Sequence, residues 1–193
     1  MSFDFSQFPR LEIGGKRVKK IARKSDGQVL WTAGYINMVP LSINADGTIY
    51  NGGLGYKEGY RVRSGGAEGE SDNAVCTGFI PFKKGDILRI YPAFIGRNTD
   101  NAINFADASF TNLGQKTASG ASYGICSTNE SLWDAAMANV VNGVTVVDIS
   151  NIPNAGDVAY VRITNFYGTA SGQTSPISSG AELIVTVNEE ITV

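Results

Sequence analysis

The alternation of apolar and polar residues along short segments predicts a chain built from β-strands. The clearest strand covers residues 87–91, where Leu88 and Ile90 share one face and Arg89 lies on the other, as expected for a half-buried strand. Other apolar segments of strand length lie at residues 48–50, 75–81, 103–105, 144–149, 159–163 and 181–187. Turns rich in glycine, asparagine and serine separate them, which is typical of a sandwich. We therefore predict an all-β fold, a jelly-roll-like β-sandwich.

One segment, residues 131–140, has helical rather than strand periodicity. Ser131 is placed to cap its first turn, and Leu132, Ala136 and Val140 recur on one face. We predict at most one short helix, in this segment.

The N-terminal part of the chain is predicted to form a small module of its own. A Ser-Asp-Gly turn at residues 25–27 separates two apolar segments, so residues 1–31 are predicted to form a β-hairpin module. Such a ribbon is too small to be stable alone, and Trp31 is therefore expected to pack against something else. Residues 32–41 are predicted to form a connector, and residues 42–193 the sandwich.

Composition agrees with β structure and narrows the range of partners. Charged residues make up 18% of the chain and there are 23 glycines, which favours tight turns over solvated helices. The net charge is −2, so the protein would gain little from displacing counterions from phosphate, and no nucleic-acid partner is predicted. Basic residues cluster between positions 10 and 24, as in a solvated hairpin that resists edge pairing.

The sequence predicts neither membrane insertion nor secretion through a signal peptide. No apolar run reaches the ~18 residues that a membrane span needs. Residues 1–5, Met-Ser-Phe-Asp-Phe, lack the basic and apolar regions of a signal peptide. We therefore expect the chain to fold in a cytoplasm.

The absence of histidine restricts the chemistry. With 0 His, Ser-His-Asp catalysis, Cys-His catalysis and His-ligated zinc are excluded. Cys76 and Cys126 lack metal-ligand spacing; we favour two free, buried thiols, with a disulfide as the alternative. Most acidic residues fall at predicted turns, so a hydrolytic carboxylate pair is a lesser alternative. We predict no catalytic residues, no metal site and no cofactor.

Several motifs resemble a domain of phage proteins. They are GYKEGYR at residues 55–61, SGG at 64–66, TGFIPFKKGDILRI at 77–90, AYVRI at 159–163 and LIVTVNEEI at 183–191. Together they resemble a domain found in tail-fibre, tail-appendage and receptor-binding proteins of phages and prophages that infect Gram-positive gut bacteria. IGGKRVKKI at residues 13–21 and VLW at 29–31 resemble a short module common in the same proteins.

The resemblance implies a virion structural protein with a jelly-roll or carbohydrate-module-like sandwich. It implies assembly in the bacterial cytoplasm, other phage tail proteins as partners, and a homo-oligomer, with a trimer as one expected form.

The predicted function is recognition of a host cell-surface glycan. Sugar sites place aromatic rings against a pyranose and surround it with polar groups. Glycines flank the segment that contains Tyr56 and Tyr60, so we predict a loop that presents both rings. The predicted ligand-binding residues are Tyr56, Tyr60, Arg61, Arg63 and Trp133, with Tyr123 as a further aromatic candidate. Two alternatives stay open: a structural oligomerisation or assembly module without a ligand, and a polysaccharide-degrading enzyme domain.

Overall fold

The chain folds into antiparallel β-sheets. The computed structural model describes residues 35–63, 65–93, 101–117, 143–150, 155–170 and 173–191, with the backbone of shorter segments at 12–13, 16–17, 20–22, 29–32, 122–124 and 140–141. Within these ranges the helical segments are short 3-10 helices at Val39–Leu41, Tyr50–Gly53, Ala155–Asp157 and Gly180–Glu182. The prediction of an all-β fold is therefore confirmed.

The strands are short and pair with antiparallel neighbours. In chain order, those in the described residues are β1 (Glu12–Ile13), β2 (Lys16–Arg17), β3 (Lys20–Ala22), β4 (Val29–Thr32), β5 (Tyr35–Ile36), β6 (Tyr56–Val62), β7 (Glu68–Thr77), β8 (Ile80–Pro81), β9 (Ile87–Tyr91), β10 (Asn101–Ala106), β11 (Asn112–Thr117), β12 (Ser122–Gly124), β13 (Val140–Val141), β14 (Val144–Asp148), β15 (Tyr160–Phe166), β16 (Thr169–Ala170), β17 (Gln173–Thr174) and β18 (Ile184–Val187).

Two larger sheets enclose the main hydrophobic core. In the described part of the chain, the first sheet has the order β12-β11-β10-β15-β7-β6, with β8 also pairing with β15, and the second has the order β13-β14-β9-β18. Buried side chains from both sheets meet in one cluster, among them Val75, Ile103, Phe105, Val161 and Ile163 from the first and Leu88, Ile90, Val147 and Val185 from the second. The arrangement is sandwich-like, and the predicted burial of Leu88 and Ile90 is confirmed.

Strand β15 is buried on both of its faces. Its residues from Val161 to Phe166 are all buried, although only alternate residues can face the shared core. Val161 and Ile163 belong to that core, so Arg162 and Thr164 lie on the opposite side of the first sheet. We call this side the outer face.

The segment before the sandwich covers an edge of the second sheet. The N–H of Met38 donates to the carbonyl of Val185 at 2.7 Å. The side chain of Asn37 donates through Nδ2 to the carbonyl of Leu183 at 3.0 Å and accepts at Oδ1 from the N–H of Val185 at 3.0 Å. Residues 35–39 therefore continue the pairing beyond β18, and Val39 is fully buried. Residues 37–39 of the predicted connector thus pack against the sandwich.

The N-terminal segments form small sheets of their own. Strand β1 pairs with β2, and β3, β4 and β5 form a further sheet. Whether residues 1–31 form a separable module stays a prediction. The expected packing of Trp31 concerns a side chain outside the described residues.

Two local predictions need correction. Residues 131–139, most of the predicted helix, lie outside the described residues, but Val140 belongs to strand β13. The predicted tyrosine loop is instead the strand β6. Gly59, with φ of +73°, lies where the pairing of β6 with β7 shifts register between Glu58 and Tyr60. The glycine marks a β-bulge, which breaks the regular pairing without ending the strand.

Candidate functional site

The outer face of the first sheet carries a cleft with a volume of about 100 Å³. Aromatic rings, carboxamides and one arginine line it together with a glycine turn. The residues that carry the argument are Gly66, Phe79, Asn104, Phe110, Asn112 and Arg162.

The rings of Phe79 and Phe110 form one wall of this cleft, and the ring of Tyr160 packs against both. The ring of Phe110 stacks on that of Tyr160, with centroids 4.6 Å apart and planes at 22°. Phe79 meets Phe110 edge-on at 5.0 Å and Tyr160 at 6.1 Å. Offset and edge-on pairs of this kind add about 0.5–1.5 kcal/mol each beyond the area they bury. The wall is therefore held in a defined position before any ligand arrives.

Phe110 is held in a backbone conformation that side chains rarely adopt. Its φ is +62°, in the left-handed region, which costs a residue other than glycine roughly 1–2 kcal/mol. The carboxylate of Asp107 fixes the turn by accepting from the N–H groups of Ser109 at 2.8 Å and Thr111 at 2.9 Å. A strained residue that persists in a well-bonded turn suggests a functional position.

Arg162 forms the polar floor of the cleft and is only 6% exposed. Its Nε donates to the carbonyl of Thr77 at 3.0 Å, and Nη1 donates to the carbonyl of Gly66 at 3.2 Å. Nη2 donates to Oε1 of Glu68 at 2.6 Å. The guanidinium also lies 5.0 Å from the ring centroid of Phe79, a cation–π distance. Each nitrogen of Arg162 thus has a fixed partner, and its charge is paired.

Glu68 links Arg162 to a wider network on the outer face. Its Oε1 accepts a hydrogen bond from the hydroxyl of Tyr50 at 2.7 Å, and its Oε2 accepts one from Lys57 at 3.3 Å. Nζ of Lys57 lies 3.5 Å from the ring centroid of Tyr60. Burial opposes ionisation of Glu68, but the hydrogen bonds from Tyr50 and Arg162 outweigh it and lower the pKa of Glu68. Glu68 is therefore a carboxylate at neutral pH.

Cys76 lies beneath this network as a free, buried thiol. Its Sγ is 3.7 Å from the hydroxyl of Tyr50. Burial raises the pKa of the Cys76 thiol to about 11, so it carries little thiolate at neutral pH, and thiolate is the reactive form. Cys126 lies outside the described residues.

We expect Cys76 to resist alkylation in the native protein at pH 8. A Cys126→Ser variant isolates the thiol of Cys76, and mass spectrometry after iodoacetamide treatment measures the modified fraction. The variant should react in urea and stay unmodified when native. Because the folded pKa lies above the ordinary value of 9.0, this group's contribution to stability is complete below pH 9. It is lost as the pH rises towards about 11. Rapid modification of the native protein would contradict the burial described.

The predicted ligand residues fall in different environments. Tyr56 is 8% exposed and packs in the core, where a Cβ added to Gly180 would lie 2.4 Å from its ring; its expected exposure in a loop was wrong. Tyr60 and Arg61 are half-buried and Arg63 is exposed. As ligand-binding residues these three remain predictions. Trp133 and the side chain of Tyr123 lie outside the described residues.

In the described part of the chain, none of the predicted ligand residues lines the cleft, but two of them are linked to residues that do. The carbonyl of Arg63 accepts from Nδ2 of Asn104, a cleft residue, at 3.2 Å. Tyr60 connects to the cleft through Lys57 and Glu68, as described above. The aromatic wall itself was missed, because Phe79 and Phe110 are distant in sequence and only the pairing of the strands brings them together. The sequence offered one signal for this wall, which was the large aromatic residue Phe110 within the polar turn at residues 107–111.

Fold and site together define an antiparallel, sandwich-like β protein with an aromatic cleft on one outer sheet face. Comparison with known proteins finds no matching family model, no similar curated protein and no similar solved structure. Among the described residues, no helix is long and apolar enough to cross a membrane. The same residues contain no group of three or more His, Cys, Asp or Glu side chains that could hold a metal ion.

Proposed function

We propose that the protein is a non-enzymatic, glycan-binding structural module of a phage or prophage tail appendage, and that the outer-face cleft is its sugar site. The observation that carries this proposal is the wall formed by Phe79 and Phe110 beside the carboxamides of Asn104 and Asn112. Aromatic faces receive the apolar C–H face of a pyranose, and carboxamides can both donate to and accept from its hydroxyls. The strained backbone at Phe110 supports the same assignment of the cleft as a binding site.

The chemistry of Glu68 favours binding over hydrolysis. A glycosidase needs a carboxylic acid whose raised pKa lets it donate a proton to the leaving oxygen. The pKa of Glu68 is instead lowered, and Arg162, Tyr50 and Lys57 donate hydrogen bonds to its oxygens. Glu68 therefore serves as a structural anion rather than as a general acid.

The phage assignment rests on the motifs described in the sequence. Phe79 belongs to the motif at residues 77–90 and Arg162 to that at residues 159–163. Two of the motifs that resemble phage proteins therefore also contribute residues to the cleft. In this proposal the sandwich is a jelly roll, and the virion is where the protein acts. Its partners are a host-surface glycan, other tail proteins and further copies of this chain.

A purely structural assembly module is the second candidate. Leu41 and Ile49 are large apolar side chains that are 52% and 61% exposed, and burial of such residues drives subunit association. If assembly is the sole function, light scattering should show an oligomer that dissociates when both residues become serine.

Phe110→Gly should separate binding from folding. Glycine adopts the positive φ at this turn without strain, and the relief of that strain offsets the loss of the ring contacts with Phe79 and Tyr160, so the fold should persist with a small change in melting temperature. Loss of the ring should weaken glycan binding about tenfold or more, which corresponds to roughly 1.4 kcal/mol. A glycan array identifies the ligand, and calorimetry measures both affinities.

Leu41→Ser is the matched control, because it removes an apolar side chain that does not line the cleft. It should leave glycan affinity unchanged. An array on which the wild-type protein binds no host-surface glycan would refute the proposed function. If the wild-type protein and Phe110→Gly bind the glycan with equal affinity, the cleft is not the sugar site.

A further inference from the structure

We infer that the cleft selects an uncharged sugar unit, a neutral hexose or an N-acetylated amino sugar, and discriminates against uronic acids and phosphate-bearing sugars. This inference rests on the proposed function and adds the chemical class of its ligand. It follows from the bonding of Arg162, which is the one charged side chain among the described residues that line the cleft.

Arginine in a binding cleft ordinarily suggests an anionic ligand. The guanidinium presents a planar set of donors that matches a carboxylate or phosphate. Here Glu68 already supplies that carboxylate at 2.6 Å from Nη2. The carbonyls of Thr77 and Gly66 hold the remaining two nitrogens. These bonds use three of the five N–H donors of Arg162, so a second anion could reach only the second N–H of Nη1 and of Nη2, on a cation whose charge is already paired.

The carboxylate of Glu68 also offsets the attraction that Arg162 would exert on a second anion. Glu68 is half-buried and 2.6 Å from Arg162, so an anion in the cleft meets the opposite charges of a close pair, whose effects largely cancel. Lys57, the other cation bonded to Glu68, lies over the ring of Tyr60. An acidic sugar would therefore lose its hydration at the cleft without gaining a new ion pair.

The uncharged groups of the cleft suit a neutral unit. Asn104 and Asn112 contribute carboxamides, and Phe79 and Phe110 contribute ring faces. Hydroxyl and acetamido groups match carboxamides as both donors and acceptors. A volume of about 100 Å³ is small beside the roughly 300–1,000 Å³ of pockets for drug-sized ligands. The cleft therefore receives one sugar unit, not a long segment of a chain.

Matched sugar pairs test this selectivity. The methyl glycosides of glucose and galactose differ from those of glucuronate and galacturonate chiefly by a carboxylate, and the methyl glycoside of N-acetylglucosamine completes the panel. Saturation-transfer NMR and calorimetry report binding. At least one neutral glycoside should bind the wild-type protein, and its uronate should bind at least tenfold more weakly.

A Glu68→Gln variant should reduce this preference. Glutamine keeps the shape and an acceptor oxygen but removes the negative charge, so Arg162 becomes available to a sugar carboxylate. We expect the neutral-to-uronate ratio to fall at least tenfold. Glu70→Gln is the control, because Glu70 is exposed on the same strand, β7, and its loss changes the net charge equally. It should leave the ratio unchanged.

The outcomes separate the inference from the function on which it rests. Wild-type protein that binds a uronate as tightly as its neutral partner, or an unchanged ratio in a folded Glu68→Gln variant, overturns the inference and leaves glycan binding standing. No binding to any sugar of the panel or to an array removes the proposed function itself. If Glu68→Gln does not melt cooperatively, the wild-type pairs decide the question alone.

Discussion

Replacing Arg162 by methionine should lower the free energy of unfolding by about 3–5 kcal/mol, because it removes one charge-assisted hydrogen bond to Glu68 and two hydrogen bonds to backbone carbonyls from a buried cation. The substitution leaves the carboxylate of Glu68 without its strongest partner. It also leaves the carbonyls of Thr77 and Gly66 without the donors that satisfy them. Urea denaturation followed by tryptophan fluorescence or circular dichroism measures the change.

Arg63→Met provides the matched control for this prediction. Arg63 is exposed, and substitutions at such positions usually change stability by about 0.5 kcal/mol or less. A double-mutant cycle of Arg162→Met with Glu68→Gln should give a coupling energy in the range of 0.5–3 kcal/mol seen for contacting residues. If Arg162→Met costs no more than Arg63→Met, the network does not stabilise the outer face.

Asn37→Ala should destabilise the protein by about 3 kcal/mol. The substitution removes the donor to the carbonyl of Leu183 and the acceptor for the N–H of Val185. An unsatisfied buried backbone group costs roughly 1–3 kcal/mol, and Asn37 is 1% exposed, so water cannot replace the lost bonds. Thermal and urea denaturation measure the effect.

Asn44→Ala controls for the loss of a carboxamide. Its Nδ2 donates to Thr48 in an exposed turn, where water can take over the bond, so the cost should be about 1 kcal/mol or less. Similar losses for the two variants would show that residues 35–39 do not hold the edge of β18.

Sequence pattern predicted the fold best where a strand has one buried face. In β9, Leu88 and Ile90 are buried while the alternate residues Ile87, Arg89 and Tyr91 are half-buried, because only one side of that strand meets the core. In β15 the same reasoning fails. The network around Arg162 covers the outer face, so polar and apolar residues are buried alike and alternation carries no signal.

The prediction of a loop around Tyr56 and Tyr60 failed because of glycine. Gly55 and Gly59 both have positive φ, which is as typical of turns as of the irregular points of a strand. Gly59 occupies a bulge, so the residues on either side of it do not follow simple alternation. Tyr56 consequently enters the core, whereas Tyr60 stacks under Lys57 on the outer face. No local pattern distinguishes these two tyrosines.

The long-range assembly of the cleft has a kinetic consequence. Arg162 and Glu68 are 94 residues apart in the sequence, and the turn that carries Phe110 lies between them. Closing such a long loop costs conformational entropy before the contacts it permits can repay it, and chains dominated by such contacts fold slowly. The cleft can therefore form only once β7, β10 and β15 have come together. Partly folded intermediates and short fragments lack it, so a ligand of this cleft binds, and stabilises, only chains that have completed the first sheet.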